Sequence, residues 1–294
     1  MAVQISGIDL HYLCREFQVL VSAKVEKIYQ LKRKDFIFNF HVANRGRLSL
    51  RIMLPELVYL TQKRYTAPEK PFSYTMFLRK RLRNARVREI SQTGLERVMR
   101  IVFETKEAKF TLFLELFSRG NMILCDEEHK IIQPLERQSW RDREIRAHQD
   151  YVFPKGKTDL FDIDEDGLKE LMKRTNKDRL VTFLAIDLGL GGKYSEFICR
   201  DFGKDISPKD FSEYSKLVDS IKGLLDRKPE PVVENKDVYP FRVDSGVSVG
   251  SLSEAFDDFF EPEVKETGKT RLEKLKDIIK NQEEHISKLE ADIS

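Results

Sequence analysis

Apolar residues along this chain follow two periods, and the change from one to the other marks out its parts. Ile8, Leu10, Leu13, Phe17 and Leu20 recur at helical spacing, with Asp9 in the first turn, where the helix dipole favours an acid. Strand patterns come next. Phe36-Ile37-Phe38-Asn39-Phe40 is one. In another, Leu48, Leu50, Ile52 and Leu54 alternate with Ser49, Arg51 and Met53, ending at Pro55. Proline is tolerated in the first turn of a helix, so Pro71 predicts a helix start. Phe72, Met76, Phe77 and Leu82 supply its apolar side, and Arg79, Lys80, Arg81 and Arg83 load its C-terminal end. Further strand patterns occupy 98–103, 110–116 and 121–125, with Ile131-Ile132 beyond a turn. Many short antiparallel strands with one or two helices predict an α+β domain, an antiparallel β-sandwich with helices, over residues 1–156.

From there the period lengthens. Helical stretches are expected near 165–174, 179–188, 194–202 and 208–225, giving a helical domain over 157–226. Between two of them lies Leu188-Gly189-Leu190-Gly191-Gly192-Lys193. A Gly-apolar-Gly turn between helices is how a helix-hairpin-helix offers backbone N–H groups to a phosphate, which makes Gly189, Gly191, Gly192 and Lys193 candidate phosphate contacts. Glycines also end helices for local reasons, so the alternative is a plain helix stop. Residues 227–268 hold a Pro- and Val-rich extended stretch. Ser251-Leu252-Ser253-Glu254 then forms a capping box opening an amphipathic helix through Ala255, Phe256, Phe259 and Phe260. Finally, Leu272, Leu275, Ile279, Gln282, Ile286, Leu289 and Ile293 form a heptad seam over 269–294 with one polar position. A single helix of this length cannot bury its seam alone. A partner strand is expected, either by self-association or from sequence beyond residue 294, so the chain reads as the N-terminal part of a longer protein.

Charge sharpens the picture. The net +3 divides into +10 over residues 1–150 and −7 over the remaining 144. Most of the excess falls in 61–100, where eleven Lys and Arg face only Glu69, Glu89 and Glu96. Arginine predominates there, as suits a surface that grips phosphates with a planar fork, so Arg79, Lys80, Arg81, Arg83, Arg86 and Arg88 are candidate phosphate contacts. The chain is 40% hydrophobic, enough for a core, yet no segment is apolar enough to cross a membrane. Cys14, Cys125 and Cys199 are odd in number and lack CxxC spacing, which fits a reducing cytosol better than a disulfide or zinc framework. Five scattered histidines make no ligand pair, and no Walker loop, Ser-His-Asp set or zinc signature is present, so no cofactor is expected.

Gly94-Leu95-Glu96-Arg97 closes the arginine-rich run and opens the strand at 98–103. An acid beside a guanidinium, backed by cations, can hydrogen-bond base edges or sugar hydroxyls while its neighbours hold phosphates. The alternative is a solvated surface pair. Taken with Gly7-Ile8-Asp9-Leu10, Lys27-Ile28-Tyr29-Gln30, Phe77-Leu78-Arg79-Lys80, Leu116-Phe117-Ser118-Arg119-Gly120-Asn121, Leu188–Glu196 and Leu252-Ser253-Glu254-Ala255-Phe256-Asp257, in this order, the chain resembles the N-terminal region of the NFACT family of ribosome-associated quality control factors, also called fibronectin-binding proteins.

The resemblance implies a first domain like the N-terminal domain of formamidopyrimidine-DNA glycosylases, then a helix-hairpin-helix domain and the start of a long coiled coil. It implies binding to large ribosomal subunits obstructed by peptidyl-tRNA, contact with rRNA, and recruitment of aminoacyl-tRNA for non-templated tailing of the nascent chain. The family's tRNA-recruiting Asp-Arg pair falls on Glu96-Arg97, where the acid is one methylene longer. Glycosylases of the related fold need an N-terminal Pro-Glu pair, and Met1-Ala2-Val3-Gln4 supplies neither residue, so base excision is not expected. A nucleic-acid-binding module without catalysis, and a cell-surface fibronectin-binding adhesin, are the other readings.

Overall fold

The computed structural model describes residues 4–154, 160–234, 237–243 and 245–259. Ser6 starts helix α1 (Gly7–Glu16) through a reciprocal cap: its hydroxyl accepts the Asp9 N–H at 3.1 Å, and Asp9 Oδ2 accepts the Ser6 N–H at 2.8 Å. The helix expected to reach Leu20 divides. After Glu16 the chain tightens into a 3-10 turn over Phe17–Leu20, which keeps both named residues buried.

Nine antiparallel strands follow: β1 (Lys24–Lys32), β2 (Asp35–Val42), β3 (Gly46–Met53), β4 (Leu57–Thr61), β5 (Arg86–Gln92), β6 (Val98–Glu104), β7 (Lys109–Glu115), β8 (Asn121–Cys125) and β9 (Ile131–Pro134). Their order is β4-β3-β2-β1-β5-β6-β7-β8-β9 in one hydrogen-bonded sheet. Where a sandwich is expected, its two halves remain joined along β1 and β5: Lys24 is in register with Arg86, and Val25 N–H to Ala85 O (2.9 Å) and Val87 N–H to Ala23 O (3.0 Å) bond across the junction. They enclose a shared core: Phe36, Phe38 and Leu50 from one half join Ile101, Leu112 and Leu124 from the other. The opposite face of the second half carries Val98, Phe113, Ile123 and Cys125, covered by Ile145 and Tyr151 near a small hairpin, β10 (Gln138–Ser139) and β11 (Glu144–Ile145). Strands buried on both faces read as continuous apolar runs, which is how β2, β7 and β8 look in the sequence.

Helix α2 (Ser73–Leu82) connects β4 to β5, and here the expected apolar side is corrected. Phe72 (39% exposed) and Met76 (50%) face outward, and Phe77 is half-buried, whereas Tyr74, Thr75, Leu78 and Leu82 are buried. Tyr74 and Thr75 can go inside because their hydroxyls have acceptors there, Met122 O at 2.7 Å and Gln30 Oε1 at 2.8 Å.

Helices α3 (Glu165–Arg174), α4 (Leu180–Thr182, continued by a π turn over Phe183–Asp187), α5 (Gly191–Ile198) and α6 (Tyr214–Asp226) make up the second part. The stretch expected to be extended forms three short strands, β12 (Val232–Glu234), β13 (Asp237–Tyr239) and β14 (Val247–Ser248). Helix α7 (Leu252–Phe259) returns to the first part: Leu60 N–H donates to Ser253 Oγ at 3.1 Å, and Glu16 accepts the N–H groups of Leu252 and Ser253 at 2.6 and 3.1 Å. The seam over 272–293 lies outside the described residues. Among the described residues no helix is long and apolar enough to cross a membrane.

Candidate nucleic-acid interface

The turn from β5 to β6 is short because Glu96 N–H bonds back to Thr93 O (3.1 Å) and Thr93 N–H to Val98 O (3.3 Å). Gly94 sits at φ +52°, a left-handed position that favours glycine. The turn lies directly on the start of α1. A Cβ on Gly7 would stand 1.9 Å from the Leu95 carbonyl oxygen, so only glycine permits this approach. Gln92 Nε2 donates to both Gly7 O and Glu96 O at 2.9 Å. Arg97 Nη1 reaches Ile5 O at 3.4 Å, and the Arg97 carbonyl accepts Leu116 N–H at 2.8 Å. Glu96 and Arg97 are both half-buried. Desolvation lowers the Arg97 pKa from its ordinary value, with the neighbouring Glu96 carboxylate opposing it. A half-buried acid and a half-buried guanidinium thus follow each other on a turn whose backbone is braced, a placement suited to edge recognition.

The glycine hairpin meets the same helix start. Gly189 (φ +74°) and Gly191 (φ +77°) make the left-handed steps between α4 and α5, and the Gly191 Cβ position looks onto Ser6 Cβ at 3.9 Å. Gly192 opens to free space. Lys193 is committed: its ammonium donates to Asp9 Oδ1 at 2.8 Å and Val238 O at 2.7 Å, and lies over the rings of Tyr194 and Tyr239. Tyr194 OH donates to the same Asp9 oxygen at 2.5 Å, and burial followed by that carboxylate raises its pKa well above the usual tyrosine value. Residues 5–9 therefore carry the Glu96–Arg97 turn on one side and the glycine hairpin on the other. No local signal announces this, since Asp9 and Lys193 are 184 positions apart.

The six cations proposed as phosphate contacts divide. Arg79 Nε donates to Ile28 O at 2.7 Å and its guanidinium covers Tyr29; Arg86 donates to Ser22 O at 3.1 Å; Arg88 pairs with Glu104. Lys80, Arg81 and Arg83 are exposed, with no ion pair to an acid among the described residues, and Arg81 lies over the Phe77 ring. Those three form the available cationic end of α2. The cysteines are free and buried, and desolvation pushes their thiols up to about 12 (Cys14, Cys125) and about 11 (Cys199). Among the described residues no group of three or more His, Cys, Asp or Glu could hold a metal.

A family model described as NFACT N-terminal and middle domains matches residues 6–294. The chain is 30% identical over 285 residues to "Archaeal Rqc2 homolog aRqcH" of Methanocaldococcus jannaschii, covering 88% of this chain and 42% of that protein. It is 26% identical over 273 residues to "Ribosome quality control complex subunit 2" of Saccharomyces cerevisiae, covering 89% and 25%. The chain thus spans less than half the length of either relative. Among solved structures, the N-terminal part of a fibronectin/fibrinogen-binding protein from Streptococcus suis superposes with a TM-score of 0.72 at 21% identity, over 88% of this chain and 100% of that one. A fibrinogen-binding protein from Staphylococcus aureus gives 0.71 at 20%, over 87% and 98%. At these identities the shared property is the fold.

Proposed function

Because the chain belongs to the family of NFACT N-terminal and middle domains, we propose that it is the RNA-facing part of a cytosolic ribosome quality control factor. In this reading it recognises large ribosomal subunits obstructed by peptidyl-tRNA. It brings tRNA to them for non-templated extension of the nascent chain, and the covalent chemistry is left to the ribosome. The observation that carries the reading is the braced turn at 93–97. It sets Glu96 and Arg97 beside the start of α1, while Lys80, Arg81 and Arg83 are exposed at the C-terminal end of α2, where they can meet phosphates. The names of the relatives in Methanocaldococcus jannaschii and Saccharomyces cerevisiae support the same role.

The test uses the full-length protein. Glu96→Ala/Arg97→Ala should abolish tRNA co-purification and change folding stability by no more than about 1 kcal/mol, the scale of a partly exposed pair. Undiminished tRNA in the double variant, or its unfolding, overturns the assignment. The adhesin reading, suggested by the names of the structural neighbours, is separated by comparing immobilised fibronectin with rRNA and tRNA across a salt series. Phosphate gripping requires that rRNA and tRNA be bound and that their affinity fall steeply with salt; saturable fibronectin binding without RNA binding favours the adhesin.

A further inference from the structure

A second cationic surface gathers on the first domain from three turns that are distant in sequence. Between β1 and β2, Arg33 and Lys34 both reach Glu136, at 2.9 and 3.1 Å, and Lys34 Nζ also donates to the carbonyl of Arg119 in the β7–β8 turn at 2.5 Å. Arg137 and Arg141 are exposed on the neighbouring β10–β11 hairpin, with no ion pair to a described acid. The base of that hairpin is fixed to β8, where Asn121 Nδ2 donates to Glu136 O at 2.8 Å and Gln138 Oε1 at 3.1 Å. With Arg119, these turns carry five cations; against them stand Glu136, which two of them already neutralise, and on the hairpin Asp142 and Glu144, the latter paired with Arg146.

At the tip of the hairpin is Trp140, the only tryptophan of the chain, 38% exposed. Its backbone N–H closes the turn on Arg143 O at 2.8 Å, and its ring packs on the Arg143 guanidinium, 5.3 Å from the ring centroid. That guanidinium is itself fixed. It lies against Tyr151 at 5.1 Å and pairs with the buried carboxylate of Glu115, which also accepts Tyr151 OH at 2.9 Å. Tyr151 in turn stacks on Phe113 at 3.9 Å. An exposed indole is therefore held from below by a buried ionic and aromatic stack, so that ordering it on a ligand costs little further entropy. Glu115 pairs in register with Val98, next to Arg97, which puts this assembly at the same end of the sheet as the Glu96–Arg97 turn.

We propose that Trp140 is a stacking site for an unpaired nucleotide of single-stranded RNA, whose flanking phosphates lie on Arg137 and Arg141 of the same hairpin and on Arg33, Lys34 and Arg119 of the two turns that meet its base. A fixed aromatic ring takes any base face, and the cationic collar supplies charge complementarity to the backbone. A base inside a duplex offers no free face, so the ligand is single-stranded. This inference rests on the RNA-binding reading above.

The sole tryptophan makes the site self-reporting. The chain is titrated with a fluorescein-labelled oligouridylate of about 12 nucleotides, a length within the usual range of single-strand sites, and anisotropy is followed beside Trp140 emission. Saturable quenching that tracks binding is expected. Trp140→Leu should weaken binding by about fivefold or more, the lower end for loss of one base–aromatic stack, and Trp140→Phe should retain most of it. The loss in Trp140→Leu should hold across salt concentration, whereas the loss in Arg141→Glu should shrink as salt rises. Binding that saturates without quenching overturns the proposal. So does wild-type affinity in Trp140→Leu, and a lowered melting temperature in that variant would then make the indole a lid over the Arg143–Glu115 pair. If Lys80→Glu/Arg81→Glu/Arg83→Glu abolishes binding that Trp140→Leu leaves intact, the RNA reading stands and this site falls. If the unaltered protein binds no RNA at low salt, both fall.

Discussion

Replacing Lys193 by Met tests whether the ion pair to Asp9 holds the glycine hairpin against the start of α1. The Asp9 side chain is 3% exposed and that of Lys193 19%. Removing one partner of a buried pair strands the other charge, at a typical cost of about 3–5 kcal/mol. Two features reduce this here. Lys193 retains some solvent, and Asp9 keeps donors in the Ser6 N–H, the Ser6 hydroxyl and Tyr194 OH. The expected loss is therefore about 2–3 kcal/mol. Lys169→Met, which removes partly exposed pairs with Glu165 and Asp166 and a contact over the Tyr214 ring, should cost about 1 kcal/mol or less. With a urea slope near 3 kcal/mol/M, large as suits a chain of this size, the Lys193 variant should unfold at roughly 0.7–1 M lower urea with the slope unchanged. Adding Asp9→Asn should recover about half of the loss, because the stranded charge is gone while an acceptor remains. Circular dichroism across a urea series reads all of these variants. A loss below about 1 kcal/mol in Lys193→Met, or strict additivity in the double variant, would refute the account of this pair.

Charge reversal at Lys80, Arg81 and Arg83 should weaken RNA binding by about tenfold or more in a filter assay at low salt, with each change altering stability by about 0.5 kcal/mol or less; undiminished binding counts against the α2 surface. Gly191→Val should destabilise whatever the ligand, since φ is +77° there, whereas Gly192→Ala meets open space and should leave the melting temperature within a few degrees. Any loss of rRNA affinity in Gly192→Ala then belongs to the hairpin surface, and a large fall in its melting temperature would contradict the geometry. His11 is held neutral: burial lowers its pKa below 6.5, outweighing its bond to Leu225 O, with Arg15 adding to the effect. The unfolded chain therefore takes up the proton first, and stability falls as pH drops through 6.5 toward the folded value. His11→Gln should flatten that part of a pH–melting curve, and identical curves would exclude this histidine as the source.

What could be read from the sequence, and what could not, follows from period and distance. β2, β3, β6, β7 and β8 announce themselves through apolar runs or clean alternation. β1 and β5 do not, because each carries a bulge, Val25/Lys27 in one and Val87/Glu89 in the other, and an extra residue breaks the two-residue period. The exposed face of α2 is not legible locally, because Tyr74 and Thr75 look solvent-facing until their acceptors on β8 and β1 are known. At the candidate site, Glu96 and Arg97 stood out from local charge and their position before a strand. Their bracing by Gly7, Gln92 and Ile5 depends on contacts across some 90 residues. The stack beneath Trp140 is equally invisible locally, because Glu115, Arg143 and Tyr151 come from different segments.

Helix α1 also has a bearing on how the protein is made. Asp9, Tyr12 and Glu16 find partners 184, 212 and 237 residues further along the chain. At elongation rates of roughly 5–20 residues per second, those partners emerge some ten to fifty seconds after the helix itself. Closing such long loops is a late, entropically costly step, so native docking of the first helix must be among the last events of folding. Until then Asp9 has only its Ser6 cap, Glu16 lacks its partners on α7, and the apolar stripe can pack only on the growing sheet. A nascent chain halted before Lys193 would hold Asp9 without its cation, leaving the earliest element synthesised incomplete until nearly all the rest has been translated.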